Sequence, residues 1–402
     1  MAVSLSFPQH VSELAARTET FIREVVLPID DQHGGDIHAA GNDVLRVRLQ
    51  QEARAAGVFA PHAPREYGGL GLGMVDRAPL FEEAGYSLFG PLSLNIAAPD
   101  EGNLHLLAHA ASAEQKVNYL QPLAAGECRS AFAMTEPSPG AGSDPSMLCT
   151  TATYRAGRWH ISGRKWFITG ADGAHFFIVM ARTSGQPGDR GGATMFLVDG
   201  HATGLTVGRH IATMDKSMLG GHCEVSFDEV SVGDDAVLGA VDAGFQYAQI
   251  RLGPARMTHV MRWLGSARRA HDTALSHVAA RRGFGGRLGD LGMIQRMVAD
   301  NEIDLAATRA LLVQACWHLD QGESASTQTS IAKTFAAEAI DRVVDRSVQM
   351  CGGLGVSDDY PVARISREVR PFRIYDGPSE VHRWAIAKRA IRAARSQAEG
   401  SE

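Results

Sequence analysis

The spacing of apolar residues changes twice along the chain. In the first third, apolar positions recur every three or four residues, as in HVSELAARTETFIREVV, which predicts amphipathic helices. In the middle, short runs rich in Thr, Val, Ile and aromatic residues, such as KWFITG and ATMFLVDG, predict strands. Helical spacing then returns in long blocks. We therefore predict an α+β fold with a helical domain, a small barrel or sandwich and a second helical domain, at residues 1–128, 129–240 and 241–402.

Composition and charge narrow the possible classes of function. The 402 residues, 45% hydrophobic and 21% charged, exceed one ordinary compact domain. The net charge of -6 and the lack of a Lys/Arg run give no indication of a nucleic-acid partner. The 5 cysteines form no Cys-x-x-Cys pair and the 16 histidines show no ligand spacing, so no metal site is predicted. No leader pattern or run of membrane-spanning length is found, and we expect a soluble, cytoplasmic protein without a membrane span.

Two stretches of the middle region carry residue types that suit a bound cofactor. AFAMTEPSPGAGSD, which begins at Ala131, has hydroxyls and glycines that let the backbone approach a flat or anionic ligand. On local grounds an ordinary turn-rich connection is the simpler interpretation. GRKWFITGA should place Trp166 and Phe167 on opposite faces of a strand. One ring would then pack in the core and the other would cover a ligand, although core packing on both faces is the simpler interpretation.

Two stretches of the last region allow a structural and a functional interpretation, and local signals favour the structural one in both. QMCGGLG, which ends at Gly355, follows a long helical block and fits either a helix C-cap or a backbone surface for a pyrophosphate. In DGPSEVH, the residues Asp376, Gly377 and Pro378 fit the start of the last helix or a catalytic carboxylate on a turn. The chain lacks the Gly-x-x-x-x-Gly-Lys-Ser/Thr, Gly-x-Gly-x-x-Gly and His-Glu-x-x-His motifs of common nucleotide and zinc sites.

In this order, the motifs resemble those of the acyl-CoA dehydrogenase family. The motifs cover nearly the whole chain: PREYGGLGL, MTEP, KWFITG, SFDEVSVGDDAVLG, RRGF, QMCGGLG and IYDGPSEV. The chain is most similar to a branch with an APDEGN-type segment, RLGPAR and an Asp-Gly-Pro-x-Glu-Val-His ending. The resemblance implies an N-terminal helical domain, a middle β-barrel domain and a C-terminal four-helix bundle. It also implies bound FAD at the subunit interface of a homotetramer or dimer.

The resemblance further implies a reaction and roles for individual residues. Asp376 would remove the α-proton of an acyl-CoA thioester while flavin N5 takes a hydride from the β-carbon, giving a 2-enoyl-CoA. An electron-transferring flavoprotein would accept the electrons. The substrate would contact Ser143, Arg256 and the backbone N–H of Gly377. The flavin ring and pyrophosphate of one FAD would contact Met134, Thr135, Ser143, Phe167 and Thr169. The ADP part of the neighbouring subunit's FAD would contact Arg281, Phe284, Gln349, Gly352 and Gly353.

Several positions depart from the family pattern. Asp376 stands where most members have Glu, which withdraws the carboxylate by one carbon–carbon bond of roughly 1.5 Å. Ala255 occupies the position of an alternative base in other branches, so no second carboxylate competes. The loop TEPSPGAGSD is longer than the commonest form, and the stretch after Phe284 ends in Leu291 and Gly292 where a Gln contact to the flavin is usual.

Two other candidates and two other functions remain open. Pro378 and Glu380 stand where hydroxyl and amide groups often contact the flavin, and both stay candidate cofactor contacts. Around Asp376 we expect a closed, apolar site. One alternative function is a flavin-dependent oxidase of the same fold that acts on a substrate without CoA. The other is a scaffold that binds an acyl thioester or a protein partner without turnover.

Overall fold

The computed structural model describes residues 7–399 as two compact units that interleave along the sequence. One unit contains the chain up to Gly35, Gly73–Pro91 and the chain from Gly253 onward. The other contains Asp36–Leu72 and Leu92–Leu252. The helical N-terminal region contributes to both units, so the predicted boundaries at residues 128 and 240 differ from those of the units and stay predictions.

The described chain runs through helices, then strands, then helices, as predicted. The helices before the sheet are α1 (Gln9–Phe21), α2 (Leu27–His33), α3 (Asn42–Ala55), α4 (Met74–Gly85), α5 (Gly90–Ser93), α6 (Asp100–Ala110), α7 (Ala113–Gln115) and α8 (Gln121–Ala124). The strands of the sheet are β1 (Ser130–Ala133), β2 (Thr151–Arg155), β3 (Arg158–Thr169), β4 (Phe176–Arg182), β5 (Ala193–Asp199), β6 (Leu205–His210), β7 (His222–Val232) and β8 (Val237–Leu238). The chain continues with α9 (Gly244–Ala280), the hairpin β9 (Arg282–Gly283) and β10 (Gly286–Arg287), α10 (Gly292–Asp320), α11 (Ser326–Cys351), α12 (Pro361–Val369) and α13 (Ser379–Glu399).

The middle region forms an eight-stranded sheet with the order β6-β7-β3-β2-β4-β5-β8, and β1 pairs parallel to β4. The strands β4 and β5 are buried along almost their whole length, which is why they are nearly continuous apolar runs. Phe177, Phe196 and Val225 belong to the core that the sheet encloses on one face. The predicted strand-rich middle domain is confirmed.

The strand that carries KWFITG is irregular near its end. The pairing of β3 with β7 changes register between Lys165 and Ile168, and Phe167 adopts φ 51 there. Such a bulge breaks the alternation of side chains across the sheet. The rings of Trp166 and Phe167 contact each other edge to face at 5.0 Å. The prediction that they lie on opposite faces of a regular strand is therefore wrong.

The C-terminal helices α9, α10, α11 and α13 form the predicted four-helix domain. A charge pair joins two of these helices: Arg342 on α11 donates to Asp304 on α10 at 2.6 Å. At its other end, α10 supplies Asp320, whose carboxylate accepts from the backbone N–H groups of Met74 at 2.7 Å and Val75 at 2.9 Å. These N–H groups belong to the first two residues of α4, where the helix dipole favours a carboxylate.

None of the helices in residues 7–399 is long and apolar enough to cross a membrane. Within the same residues, no group of three or more His, Cys, Asp or Glu side chains is arranged to hold a metal ion.

Candidate active site

The stretch IYDGPSEV forms a tight turn directly before α13. Asp376 and Gly377 both adopt left-handed backbone, with φ 54 and φ 95. This conformation is easy for Gly but uncommon for other residues, although Asp tolerates it better than most. A Cβ atom on Gly377 would lie 2.8 Å from Nε2 of His382, so a side chain there would also be too close. The turn interpretation of DGP is therefore correct, and the turn also presents the Asp376 carboxyl group.

Three side chains hold the two carbonyl groups of this turn. The carbonyl oxygen of Asp376 accepts from Nε of Arg256 at 3.0 Å and from Nε2 of His382 at 3.1 Å. The carbonyl of Gly377 accepts from Nζ of Lys333 at 2.7 Å. Burial lowers the pKa of His382 to about 4 and the pKa of Lys333 to about 8. At neutral pH His382 is therefore uncharged and carries its proton on Nε2, while Lys333 remains a cation.

The hydrogen bonds to Asp376 also orient the next N–H group. The C=O and N–H of a trans peptide point in opposite directions. Because the carbonyl of Asp376 points at Arg256 and His382, the N–H of Gly377 points away from both. A cation on the carbonyl side polarises the peptide and makes the N–H a better donor. This geometry suits an N–H that stabilises negative charge on a ligand oxygen.

The Asp376 carboxyl group lies next to a histidine whose tautomer is fixed. Oδ2 of Asp376 is 3.3 Å from Nε2 of His259, and Nη2 of Arg262 donates to Nδ1 of His259 at 2.8 Å. Because Arg can only donate, Nδ1 must accept and the proton of His259 lies on Nε2, towards Asp376. The expectation of an apolar site is wrong. Aromatic rings such as Tyr375 are present, but charged and polar groups also contact the turn.

A second candidate region is the loop that follows β1. Its organising residue is Glu136, which is 3% exposed and accepts from the backbone N–H groups of Ala141 at 3.1 Å, Cys149 at 2.7 Å and Thr150 at 2.8 Å. The loop therefore closes around one carboxylate. Against the opposing effect of burial, Lys165 and the donors of the loop lower the pKa of Glu136.

Lys165 joins this loop to two strands. Its ammonium group is fully buried and donates to Glu136 at 2.8 Å, to the carbonyl of Met134 at 3.0 Å and to the carbonyl of Met180 at 2.7 Å. The three acceptors use all three protons of the ammonium group. Burial lowers the pKa of Lys165 to about 8, while the nearby Glu136 opposes that shift. Met134 and the loop are thus held by a buried ion pair.

The predicted flavin contacts of the middle domain occupy one end of β1 and β3. Met134 and Thr135 are half-buried at the end of β1, and the carbonyl of Thr135 accepts from the N–H of Trp166 at 3.0 Å. This bond brings them beside the bulge with Phe167, whose side chain is 45% exposed. Ser143 lies in the exposed part of the loop. An exposed aromatic ring next to residues with hydroxyl side chains suits a flat ligand.

Thr169, at the end of β3, is part of a chain of side-chain hydrogen bonds. Its hydroxyl group lies 2.9 Å from Nδ1 of His222, and Nε2 of His222 lies 2.7 Å from Oδ2 of Asp215. Thr169 and His222 are directly paired across β3 and β7, so their side chains lie on the same face. The hydroxyl group of Thr169 is therefore oriented by the imidazole.

A third candidate region is an open cleft of about 960 Å³ between α9 and the end of α11. The cleft is lined by Arg281, Gly352 and Gly353, together with His277 and Tyr360. Gly352 caps α11 with φ 59, so the C-cap interpretation of QMCGGLG is correct. No heavy atom lies within 4 Å of a Cβ placed on Gly352 or Gly353, so this backbone faces open space. Backbone of this kind can approach a pyrophosphate closely.

The other residues predicted for this region lie outside the cleft lining. Gln349 is exposed on α11, and Glu380, on α13, has a side chain that is 76% exposed. Phe284 is 93% exposed at the tip of the β9-β10 hairpin, where it and Gly285 form a two-residue turn with positive φ. Pro378 lies just before α13. Their roles as cofactor contacts stay predictions.

Comparison with known proteins identifies the family. Models of the acyl-CoA dehydrogenase N-terminal, middle and C-terminal domains match residues 9–127, 131–230 and 242–391. The chain belongs to the acyl-CoA dehydrogenase family. It is therefore an FAD-dependent oxidoreductase of a class that acts on acyl-CoA.

Individual relatives support this assignment. The chain is 37% identical over 323 residues to "Probable acyl-CoA dehydrogenase FadE2" of Mycobacterium tuberculosis, covering 79% of each protein. It is 32% identical over 391 residues to acyl-CoA dehydrogenase family member 11 of Mus musculus, covering 94% of this chain but only 50% of that relative. This chain thus spans about half the length of the mouse protein.

Solved structures share the fold. A structure from Mycobacterium abscessus, assigned by name to the same family, has a TM-score of 0.90 and 35% sequence identity and covers 97% of this chain and 100% of that one. The FAD complex of PigA has a TM-score of 0.87 and 25% identity, with 96% and 99% of the two chains covered.

The residues of this acyl-CoA dehydrogenase fit FAD. Arg281 and the open backbone of Gly352 and Gly353 suit a diphosphate, because guanidinium and N–H groups are its usual partners. In the other unit, the exposed ring of Phe167 and the hydroxyl group of Thr169 suit an isoalloxazine. The assignment of individual residues to parts of FAD stays a prediction.

Sequence reasoning missed several polar residues around the candidate site. His382 belongs to the DGPSEVH motif and could have been considered with it, since it is six residues from Asp376. His259 and Lys333 lie inside long helical blocks with no distinguishing local pattern. Glu136 belongs to the MTEP motif, but its buried partner Lys165 is 29 residues away. Only folding brings such pairs together.

We predict that Gly353→Val weakens FAD binding without unfolding the apo-protein. A side chain at Gly353 meets no atom of the chain itself, so it would only fill space in the cleft. Filling part of a ligand site with a valine side chain should lower FAD affinity about 10-fold or more. Titration of apo-protein with FAD measures the effect, and Gly191→Val, at a glycine of the sheet unit that also has no neighbour within 4 Å, is the matched control. Equal affinities in the two variants would contradict a diphosphate site here.

Proposed function

We propose that this chain catalyses the FAD-dependent α,β-dehydrogenation of an acyl-CoA thioester to a 2-enoyl-CoA, with Asp376 as the base. The observation that carries the proposal is the turn at Asp376 and Gly377. It combines a carboxyl group, a histidine nitrogen 3.3 Å from one oxygen of that group, and an N–H that is oriented away from the two side chains that bind the Asp376 carbonyl. Proton abstraction next to a thioester needs a base and an oxyanion donor at close range.

Asp376 would take the α-proton with its carboxylate, whose Oδ2 lies 3.3 Å from Nε2 of His259. His259 would keep the carboxyl group in one orientation during the transfer. Arg256, Lys333 and His382 would hold the turn rigid, since each donates to one of its carbonyl groups. The preorganised turn avoids reorganisation at the moment of reaction.

The N–H of Gly377 would stabilise the negative charge that develops on the thioester oxygen. A donor of this kind contributes typically about 10²–10³-fold to the rate. When bound, FAD supplies the two-electron oxidant that accepts the hydride from the β-carbon. Ser143 and Arg256 are proposed to contact the substrate, and an electron-transferring flavoprotein is proposed to reoxidise the enzyme.

We also propose that the enzyme is a homo-oligomer, dimer or tetramer. The unit that contains the C-terminal helices exposes large apolar side chains, which include Phe284 at 93%, Met293 at 79% and Val356 at 74%. Exposed apolar groups in one unit are typical of a surface that another chain covers. The cleft with Arg281 would then receive the ADP part of a neighbour's FAD. Light scattering of the purified protein distinguishes the two oligomers.

The decisive experiment is the anaerobic visible spectrum of the purified protein with a panel of acyl-CoA thioesters. We expect a yellow protein whose flavin absorbance bleaches with at least one thioester, because electrons pass to the flavin without an added acceptor. A yellow protein whose flavin absorbance does not change with any thioester would instead favour the oxidase that acts on a substrate without CoA. A colourless protein that cannot be reconstituted with FAD would favour the scaffold without turnover.

A further inference from the structure

The last helix, α13, continues past the part that packs against its own unit. Its first half includes buried positions such as His382, but from Ala387 to Ala398 every side chain is exposed. At a rise of 1.5 Å per residue, this exposed stretch is about 18 Å long. A helical segment whose side chains are all exposed gains little stability from packing. Its surface is therefore a candidate for a binding partner.

The charges on α13 are almost all positive. Between Glu380 and Glu399 the sequence has five cations and no acidic residue, although the whole chain has a net charge of -6. The cations are Arg383, Lys388, Arg389, Arg392 and Arg395. Cations near the C-terminal end of a helix interact favourably with its dipole, which accounts for part of this charge. The result is a strongly basic helix on an acidic protein.

Two large apolar side chains lie among these cations. Trp384 is 64% exposed and Ile391 is 53% exposed. Trp384, Lys388, Ile391 and Arg395 recur at intervals of four, three and four residues, which places them in one row along the helix, with Arg392 beside it. The ammonium group of Lys388 lies 4.7 Å from the centre of the Trp384 ring. We call these five residues the α13 face. The helix dipole gives no reason for its exposed Trp and Ile side chains.

An anionic lipid surface has the chemistry that the α13 face would recognise. Such a surface presents negatively charged headgroups next to an apolar layer, and the helices that bind it carry Lys and Arg beside Trp and other large apolar residues. Clusters of about four to eight cations on an amphipathic helix are typical of binding to anionic lipids. The long stems of Lys and Arg let the apolar residues reach the acyl layer while the charges stay among the headgroups.

A second copy of this chain fits the α13 face less well. A two-fold symmetric contact would use the same face on both copies and bring two rows of cations together. Like charges placed opposite each other in an interface are unfavourable. The exposed side chains of Phe284, Met293 and Val356, which we propose for the contact between subunits, belong to other elements of the unit.

We propose that the α13 face binds an anionic lipid surface, with Trp384 and Ile391 against the acyl layer and the cations against the headgroups. The helix would lie in the plane of the surface, as amphipathic basic helices do, without crossing the membrane. Because α13 begins at Ser379, directly after the turn at Asp376, binding holds this turn near the lipid surface. This role is separate from the proposed dehydrogenation.

The test is sedimentation of the FAD-loaded protein with vesicles at low salt. We expect it to sediment with vesicles of mixed phosphatidylglycerol and phosphatidylcholine, but not with vesicles of phosphatidylcholine alone. Added salt should release it, because salt screens the attraction between exposed charges. The triple variant Lys388→Glu, Arg392→Glu and Arg395→Glu should bind the anionic vesicles about 10-fold more weakly or less, since each cation near an anionic surface contributes to the affinity.

The matched control makes the same change in net charge at three arginines outside α13. Arg17, Arg190 and Arg296 are all exposed, so Arg17→Glu, Arg190→Glu and Arg296→Glu together remove as much positive charge as the triple variant of α13. This control should bind the anionic vesicles more tightly than the α13 variant does, by several-fold. The absorbance of bound flavin checks that each variant is folded.

Trp fluorescence tests the apolar half of the α13 face. When anionic vesicles are added, the emission of the wild-type protein should shift to shorter wavelength, because an exposed indole ring enters an apolar layer. The protein has 5 Trp residues, so the variant Trp384→Phe identifies which of them responds. This variant keeps an apolar ring and should still sediment with the vesicles, but most of the shift should be lost.

Several results would overturn the proposal. Sedimentation of the wild type with neither kind of vesicle, or equally with both, would remove the anionic lipid. Equal affinities of the α13 variant and its control would mean that net charge, and not this face, attracts the protein. A smaller oligomer of the α13 variant in light scattering would assign the face to a contact between copies. If the triple variant loses its flavin, Lys388→Gln with Arg395→Gln carries the same test.

Discussion

Asp376→Asn is expected to slow flavin reduction by acyl-CoA by about 10²–10⁴-fold, the usual contribution of a positioned base, with FAD still bound. The amide has nearly the size of the carboxyl group but cannot take the α-proton. Asn also tolerates the left-handed backbone found at this position, where φ is 54, so the turn should persist. Anaerobic stopped-flow measurement at the flavin absorbance gives the rate directly.

Two further variants show whether the effect is specific to a carboxylate at this position. Asp345→Asn makes the same chemical change at an exposed position of α11 and should leave the rate unchanged. Asp376→Glu keeps a carboxylate but extends it by one bond, and it should recover part of the activity. If the flavin of the Asp376→Asn variant is reduced at the wild-type rate, Asp376 is not the base. The proposed oxyanion role of Gly377, which depends on that base, then loses its support.

Lys165→Met is expected to destabilise the protein by about 3–5 kcal/mol, because it leaves the buried Glu136 carboxylate without its charged partner. It also removes the donor to the carbonyl groups of Met134 and Met180. We expect a lower midpoint in urea unfolding and a protein that releases FAD more readily, since the loop after β1 depends on this pair. Fluorescence of released flavin follows both effects in one experiment.

The matched control is Lys216→Met, at a lysine that is 64% exposed and 3.6 Å from Asp36. Exposed pairs contribute about 0–1 kcal/mol, so this variant should behave nearly as wild type. The double variant Glu136→Gln with Lys165→Met should be more stable than Lys165→Met alone, because no unpaired charge stays buried. If Lys165→Met proves as mild as Lys216→Met, the ion pair does not hold the loop.

Local patterns predicted the element types because burial on one face imposes a period that can be read directly. The nearly continuous apolar runs of β4 and β5 and the long helical blocks of α9 to α11 are examples. The same approach failed at Trp166 and Phe167. The strand period assumes regular pairing, and the bulge between Lys165 and Ile168 depends on the partner strand β7.

The candidate site was predictable only where one motif contains all the residues involved. The turn chemistry of Asp376 and Gly377 is local, and the family resemblance supplied the proposed role of the carboxylate. The site was expected to be apolar, because nothing in DGPSEVH indicates which helices pack against it. Arg256, His259 and Lys333 come from α9 and α11, more than 40 residues away in the sequence.

By itself, the sequence determined the order of helical and strand regions, the turn at Asp376, the C-cap at Gly352 and, through its motifs, the family. These features depend on neighbouring residues or on short-range periodicity. The tertiary structure alone decided which polar groups meet: Lys165 with Glu136, His222 with Thr169, and His259 with Asp376. Such contacts join residues 29 to 117 positions apart. A buried polar group must find a partner, but many partners satisfy that requirement, and packing selects among them.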